Sequence, residues 1–188
     1  MKVQAITLRK GHALDRDGKL WLVTHYEIMQ PGKGASVIQV EMRALKGGNK
    51  DNVRYRTQET VERIRLEQHE YQFMYKDSEG YHFMNQTTYD QVNIPGEIIG
   101  YPANFLQEGM ICTVESFEGE PLSVEIPQYV TMLITEADPV VKGQTASSSY
   151  KPAVLENGVK IQVPPFIGSG TRVVIKTEDG SYVERAKD

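Results

Sequence analysis

Residues 20–44 have the sequence LWLVTHYEIMQPGKGASVIQVEMRA, and this stretch decides the fold of the first part of the chain. Its first half is rich in β-branched and aromatic residues, and beyond residue 36 apolar residues alternate with polar ones, as in a half-buried strand. Pro31 and Gly32 favour a turn with a positive φ angle at Gly32, and Gly34 frees the backbone after the lysine. The stretch therefore predicts a β-hairpin with Lys33 at an exposed tip.

A lysine at such a tip has several interpretations. A solvated turn is the ordinary one, because turns are commonly built from these residues. A phosphate-binding loop is excluded, since that motif needs Ser or Thr after the lysine and a helix beyond it, whereas Gly34 and a strand follow here. A nucleophilic amine needs burial or a cationic neighbour, which a glycine-flanked tip does not favour. The remaining functional interpretation is a lysine that another molecule modifies or contacts.

The rest of the chain predicts an all-β fold of small barrels. Short alternating segments are separated by turn pairs at residues 17–18, 47–49, 79–80, 118–119, 157–158 and 179–180. Only residues 103–108, followed by Gly109, favour a short helical turn. Changes of pattern near residues 64 and 128 predict three modules, which comprise residues 1–64, 65–127 and 128–188.

The net charge of −4 hides a large difference between these modules. Residues 1–64 contain 12 Lys and Arg against 7 Asp and Glu, residues 65–127 contain 2 against 11, and residues 128–188 contain 7 of each. We expect the basic first module to contact a phosphate backbone, although a solvated surface of mixed charge is the alternative. The acidic second module should face solvent or a basic protein. The candidate cations are Arg9, Lys10, Arg43, Lys46, Lys50, Arg54 and Arg56.

Other features argue against an enzyme or a membrane protein. The first ten residues contain no apolar export segment, and no run approaches the roughly 18 apolar residues of a membrane span, so we expect a cytoplasmic protein. The single cysteine, Cys112, is expected to pack in a strand as an apolar group. No catalytic motif is present, and no metal or other cofactor is implied, because the histidines show no pair at metal-ligand spacing. These histidines are His12, His25, His69 and His82.

Four motifs in order along the chain resemble the bacterial translation elongation factor P family. The first is PGKG at residues 31–34, and the second is YHFMN at residues 81–85 with Thr88 and Tyr89 just beyond. The third is DPVVKGQTA at residues 138–146, which runs on to KPAVLENG at residues 151–158. The fourth is GSYVER at residues 180–185. The resemblance covers the full length of the chain.

The resemblance implies an SH3-like first barrel followed by two OB-fold barrels, in an L-shaped arrangement like that of transfer RNA. It implies binding to the 70S ribosome between the peptidyl and exit sites, contact with ribosomal RNA, and faster peptide-bond formation where consecutive prolines stall translation. Pro31, Gly32, Lys33 and Gly34 would face the CCA end of peptidyl-tRNA. A lysine-modifying enzyme would act on Lys33, and the factor would work as a monomer.

The resemblance also implies contacts at the other end of the chain. Gly143, Gln144 and Thr145 would lie in the loop that approaches the exit-site codon, and Tyr182 and Arg185 would lie near the small subunit and the tRNA anticodon arm. An aromatic ring suits stacking, and a guanidinium suits phosphate contact. A Tyr that packs on a neighbouring strand and a solvated Arg are the structural alternatives.

Some residues depart from the family pattern, and two other functions stay open. Gln30 replaces a basic residue before the tip, so the modification of Lys33 could be a β-lysyl group, an aminopentanol group or none. Gln144 and the serines at residues 147–149 differ from the usual codon-side loop. A lysine at position 33 argues against the arginine-bearing branches. The alternatives are a general single-stranded RNA-binding β-barrel protein and an enzyme that acts through the Lys33 amine.

Overall fold

The computed structural model describes residues 1–139 and 149–187, and within them the chain is built almost entirely from strands. The described residues contain sixteen strands in three sheets, one of six strands followed along the chain by two of five. Alternation of apolar and polar residues, with glycines at the turns, explains why short strands dominate. The predicted all-β class is confirmed.

The first sheet has the order β1-β6-β2-β3-β4-β5. Its strands are β1 (Lys2–Gln4), β2 (Ala13–Arg16), β3 (Lys19–Met29), β4 (Val37–Ala44), β5 (Lys50–Arg56) and β6 (Thr60–Ile64), with a 3-10 turn at Ala5–Thr7. Its core contains the buried side chains of Ala5, Leu8, Leu14, Val23, Ile38, Val40 and Met42. The alternate residues Ile38, Val40 and Met42 face this core, which fixes the register of β4.

The second sheet has the order β11-β10-β7-β8-β9. Its strands are β7 (Glu67–Asp77), β8 (Gly80–Asn85), β9 (Gln91–Ile94), β10 (Ile111–Phe117) and β11 (Glu120–Glu125). A one-turn helix, α1 (Gly96–Ile99), and a 3-10 turn, Tyr101–Phe105, connect β9 to β10.

The third sheet has the order β14-β13-β12-β15-β16. Its strands are β12 (Tyr129–Ala137), β13 (Lys151–Leu155), β14 (Lys160–Val163), β15 (Arg172–Lys176) and β16 (Tyr182–Arg185). Buried residues of the second and third sheets form one continuous hydrophobic core, which runs from Phe73 and Phe83 to Val173 and Ile175.

The chain divides into two compact units. The first contains residues 1–68 together with residues 115–123, and the second contains residues 69–114 and 124–188. The β10–β11 hairpin therefore belongs to the same unit as the first sheet, although its strands are paired in the second sheet.

The helical segments differ from the predicted turn at residues 103–108. The 3-10 turn begins earlier, at Tyr101, and ends at Phe105, after which Leu106 is extended with φ −64° and ψ 131°. Pro102 in the first turn fixes a helical φ and lacks the N–H that a first turn leaves unpaired, so it favours the earlier start. Gly109 has a φ of 90°, but its N–H donates to the carbonyl of Phe73 on β7. It therefore anchors a turn between strands, not a helix end.

Cys112 lies in β10 with 1% of its side chain exposed, so the prediction that it packs as an apolar group is confirmed. Burial raises the pKa of its thiol to about 12. Because the thiolate is the reactive form, the folded protein holds this cysteine in an unreactive state near neutral pH.

We expect the Cys112 thiol to resist iodoacetamide in the folded protein at pH 7.5 and to react completely in denaturant. Mass spectrometry of the alkylated peptide measures both. Since the raised pKa lies well above neutrality, a rise from pH 7 to pH 9 should leave native labelling low. Rapid native labelling at pH 7.5 would contradict the buried placement.

Gly180 is buried at the point where the Tyr101–Phe105 turn meets the third sheet. Its φ of 74° is unfavourable for any residue with a Cβ. A Cβ added there would collide with the Tyr101 hydroxyl and would lie 3.4 Å from Phe105. The absence of a side chain therefore lets Tyr101 seat against the β15–β16 connection.

We expect Gly180→Ala to destabilise the protein by about 2–5 kcal/mol, because a positive φ costs about 1–2 kcal/mol and overpacking about 1–3 kcal/mol. Gly158→Ala is the matched control, since Gly158 has a φ of 84° but nothing within 4 Å of the added Cβ. Its loss should be smaller, about 1 kcal/mol. Urea unfolding followed by circular dichroism measures both variants. Adding Tyr101→Phe should recover part of the Gly180→Ala loss and none of the Gly158→Ala loss.

Candidate functional site

The loop that contains Lys33 connects the two longest-paired strands of the first sheet. The β3–β4 pairing ends with Ile28 opposite Ile38 and Met29 opposite Val37, so residues 30–36 form the connection. The N–H of Thr57 donates to the carbonyl of Ser36 at 3.2 Å, which holds the base of the loop. Pro31, Gly32, Lys33 and Gly34 are all exposed. The hairpin that the sequence predicts is present, with the lysine at its tip.

The backbone of the loop differs from the prediction in one respect. Gly34 adopts a φ of 146°, whereas the φ angle of Gly32 is not positive. The expectation of positive φ at Gly32 was therefore wrong. A connection of this length has no need for a tight turn directly after Pro31, and the chain bends over residues 32–34. A Cβ at Gly34 would approach Pro31 Cγ to 3.6 Å, so the proline ring lies against this second glycine.

The part of the chain that the structure describes offers the Lys33 side chain no partner that would hold it against the sheet. Within residues 1–139 and 149–187 it forms no hydrogen bond and no ion pair. Glycines on both sides leave no neighbouring side chain to cover it. Its ammonium group is therefore free to meet a partner molecule or a modifying enzyme.

A row of cations lies on the outer face of the same sheet, beside this loop. On β4 the buried residues are Ile38, Val40 and Met42, so the residues between them point away from the core. Lys50, Arg54 and Arg56 on β5 lie opposite those outward residues. Arg56 pairs with Val37, the first residue of β4 after the loop. We call Lys50, Arg54 and Arg56 the β5 basic row.

Two other arginines of the first unit have internal partners. The Arg9 guanidinium donates to the carbonyls of Ile6 and Leu8 and lies 5.0 Å from the centre of the Tyr26 ring. Arg16 forms a 2.9 Å ion pair with Asp51, and its hydrogen bond holds the pKa of that carboxyl below its ordinary value. Arg9, which the sequence suggested for phosphate contact, therefore has a structural role.

A cavity of about 480 Å³ lies at the other end of β3. Leu20, Trp21 and Leu45 of the first sheet and Phe117 and Leu122 of the β10–β11 hairpin form its apolar walls. Lys46, one of the candidate cations, is at this cavity together with Glu118 and Glu120. The cavity is separated from the Lys33 loop by the length of β3.

Tyr182 and Arg185 both lie on β16, the edge strand of the third sheet. The Tyr182 ring is half buried, and its burial raises the pKa of its hydroxyl. It makes an edge contact with Tyr150 at 6.5 Å between ring centres. Arg185 lies 5.8 Å from the centre of the Phe166 ring. The predicted residues Gly143, Gln144 and Thr145 lie outside the described residues.

Tyr150 and Phe166 are site candidates that the sequence analysis missed. Both side chains are exposed, at 53% and 67%. Phe166 follows two prolines in a connection where an apolar residue has no strand pattern to explain it, and that signal could have been noticed. The approach of Tyr150 to Tyr182 depends on strand pairing and leaves no trace in the sequence.

His82 has neighbours that the sequence spacing did not reveal. Ligand atoms of Asp77, Glu79 and His82 lie within 4.8 Å of one another, a grouping that could hold a metal ion. However, Asp77 Oδ1 already accepts hydrogen bonds from the backbone of Glu79 and Gly80 and pairs with His82 at 2.8 Å. These hydrogen bonds stabilise the turn between β7 and β8 and account for the approach of the three side chains. We therefore assign no metal to the cluster. The His82 hydrogen bond lowers the pKa of Asp77.

The fold and the loop together define a class: all-β proteins of small sheets in which an exposed lysine lies at the tip of a long hairpin beside a basic strand. Comparison with known families matches nearly the whole chain. Residues 4–61 match the elongation factor P KOW-like domain, residues 66–124 the elongation factor P OB domain, and residues 130–185 the elongation factor P C-terminal domain.

Individual relatives agree with these matches. Over 188 residues, with full coverage of both chains, the protein is 58% identical to elongation factor P of Rhodospirillum centenum. It is 55% identical, again over the full length of both, to elongation factor P of Methylorubrum populi and of Rhizobium etli. The chain belongs to the elongation factor P family of bacterial translation elongation factors. The family is one of translation factors and not of classical enzymes. None of the helices that the structure describes is long and apolar enough to span a membrane.

Proposed function

We propose that this factor binds the ribosome between the peptidyl and exit sites and accelerates peptide-bond formation, above all where consecutive prolines stall translation. The observation that supports this most directly is the exposed Lys33 at the hairpin tip, which has no hydrogen-bond or ion-pair partner among the described residues, in a chain of this family. Lys33 would lie beside the CCA end of peptidyl-tRNA, with Pro31, Gly32 and Gly34 forming the surface that approaches it.

The hairpin suits a role in which reach matters more than reactivity. β4 pairs with β3 and β5 as far as Val37, so the part that extends beyond these pairings is the loop of residues 30–36. Such a loop could place a cation in a site that is too narrow for the sheet itself. The amine would hold the slow substrate in a reactive orientation, and the ribosome would perform the chemistry.

The loop also offers a substrate for a modifying enzyme. Lys33 is exposed, and residues 30–35 are exposed with it, so an enzyme can enclose the tip without displacing packed side chains. A group added to the Nζ atom would lengthen the side chain and extend its reach toward the CCA end. Gln30, near the tip, leaves open which group this is.

The β5 basic row would face the phosphate backbone of tRNA or ribosomal RNA. Its three cations lie on one face of an edge strand, at intervals of two or four residues, so their charges add along a line. Arg56, at the loop end of the row, would contact the backbone nearest to the inserted lysine. Glu27 and Glu41 lie on the same face and would confine the contact to this edge.

The remaining predictions of the sequence complete the proposal. The chain has three modules, residues 1–64, 65–127 and 128–188, and it acts as a cytoplasmic monomer. Gly143, Gln144 and Thr145 approach the exit-site codon, and Tyr182 and Arg185 contact the small subunit or the tRNA anticodon arm.

We expect Lys33→Ala to abolish relief of stalling on a polyproline reporter in reconstituted translation. Its free energy of unfolding should change by less than about 0.5 kcal/mol, because the side chain is exposed and forms no hydrogen bond or ion pair within the described residues. Lys19→Ala is the matched control, since Lys19 is an exposed lysine at the opposite end of β3. It should leave relief of stalling unchanged. Full activity of Lys33→Ala would disprove the role of the lysine.

We expect the double variant Arg54→Gln/Arg56→Gln to bind ribosomes more weakly and with less dependence on salt. Each lost phosphate contact should reduce the slope of log affinity against log salt by about 1. Lys2→Gln on β1, the other edge strand, is the control for a change of charge on the same sheet. Co-sedimentation with ribosomes at salt concentrations from about 50 to 200 mM measures the slope, because phosphate contacts weaken over this range. An unchanged slope would contradict the proposed contact.

A further inference from the structure

A β-bulge in the edge strand β16 places two functional side chains on the same face. Ile175 pairs with Tyr182 and Val174 with Glu184, so Val183 is an extra residue without an opposite partner. Residues three apart in a regular strand point to opposite faces. The extra residue in the bulge brings Tyr182 and Arg185 to one face of the strand. Tyr182 lies on the face of its partner Ile175, and Arg185 lies on the face of its partner Val173. That face is the one that packs on the core.

Two further aromatic rings extend this face beyond the strand. Tyr150, directly before β13, makes an edge contact with Tyr182, with an angle of 88° between the rings. Phe166, in the connection between β14 and β15, lies under the Arg185 guanidinium. These four side chains form one surface that contains two contact pairs, Tyr150–Tyr182 and Phe166–Arg185. We call these four side chains the aromatic platform.

Two rings of the platform present much of their apolar surface to solvent. Phe166 is 67% exposed and Tyr150 is 53% exposed, and large apolar groups in contact with water are unfavourable unless a partner covers them. Tyr182 and Arg185, one from each pair, lie about 7 Å apart along β16. The bulged strand advances by two regular positions of about 3.3 Å between them.

Among the described residues, two cations lie on the side of the sheet that the rings occupy. Arg185 belongs to the platform itself. Lys151, adjacent to Tyr150, pairs with Val163, which is buried. Lys151 therefore lies on the core-facing side of the sheet, as Tyr182 and Arg185 do. Glu184, the carboxylate of β16, pairs with Val174 and points to the opposite face. A partner that presents both π-faces and negative charge would match this arrangement.

We propose that the aromatic platform stacks unpaired RNA bases, with one base against Phe166 and Arg185 and a neighbouring base against Tyr150 and Tyr182. Single-stranded RNA offers flat rings and a phosphate chain together, which complements exposed rings and a guanidinium plane on a β-sheet surface. This inference rests on the proposed function for the source of the RNA, which is ribosomal, messenger or transfer RNA in the bound complex. Arg185 then acts through its planar face and not chiefly as a phosphate contact.

The proposal assigns new roles to Phe166 and Tyr150 and predicts a specific pattern of substitutions. Loss of one stacked base weakens single-strand binding by about 1–3 kcal/mol, which is roughly 5- to 150-fold in affinity. We expect Phe166→Ala and Tyr150→Ala each to weaken binding to ribosomes by about tenfold. Phe166→Trp should restore it, because a larger ring stacks as well, whereas Phe166→Leu should not.

The test uses the full chain bound to ribosomes that contain peptidyl-tRNA. Affinity is measured by co-sedimentation, with Tyr129→Ala as the matched control, because Tyr129 is a 50% exposed tyrosine of the same sheet that belongs to neither ring pair. A photo-crosslinking residue, p-benzoylphenylalanine at position 166, identifies the neighbour. Crosslinks to RNA support the proposal. Crosslinks to ribosomal protein alone, or unchanged affinity of Phe166→Ala and Tyr150→Ala, overturn it.

A separate measurement keeps this inference distinct from the proposed function. If the unsubstituted protein does not co-sediment with ribosomes, the proposed function fails. An unstructured oligoribonucleotide containing 2-aminopurine then tests the platform alone. Stacking quenches its fluorescence, and we expect quenching by the protein that is lost in Phe166→Ala and kept in Tyr129→Ala. No quenching by the unsubstituted protein would overturn the proposal in that case.

Discussion

The antiparallel pairing of β3 with β4 is the constraint on which the candidate functional surface of this protein depends. Burial of Ile38, Val40 and Met42 fixes which face of β4 points to the core, because a slip of one residue would expose all three. The same register decides that the cations of β5 point outward and that residues 30–36 form the tip. The lysine and the basic row are therefore positioned by a hydrophobic core that contains neither.

The structure separates side chains that hold the fold from side chains that remain free for a partner. Arg9 and Arg16 are used internally, through carbonyl groups, an aspartate and aromatic rings. Lys33 has no such partner among the described residues. Charge counts cannot make this distinction, because they treat every arginine and lysine alike. The function that we propose places one amine in a distant site, and for that function the unpaired cation is the one that matters.

Much of the fold was predictable because strand periodicity and turn residues are local signals. The hairpin around Lys33, the all-β class and the buried Cys112 all follow from patterns within about ten residues. The predicted positive φ at Gly32 was wrong, since the geometry of a longer loop depends on where its ends are anchored. The helical turn before β10 begins and ends earlier than residues 103–108 suggest, because Pro102 sets its start and Phe105 is drawn into the core.

The sequence by itself determined the strands, the exposed lysine, the charge difference between the modules and the family. These properties depend on the order and type of neighbouring residues, which can be read directly from the sequence. Only the tertiary structure decided which cations are free, that Gly180 makes room for Tyr101, and that Tyr150 and Phe166 lie beside Tyr182 and Arg185. Those facts depend on strand pairing and on a bulge of one residue at Val183, and such long-range register leaves no signal in a local sequence pattern.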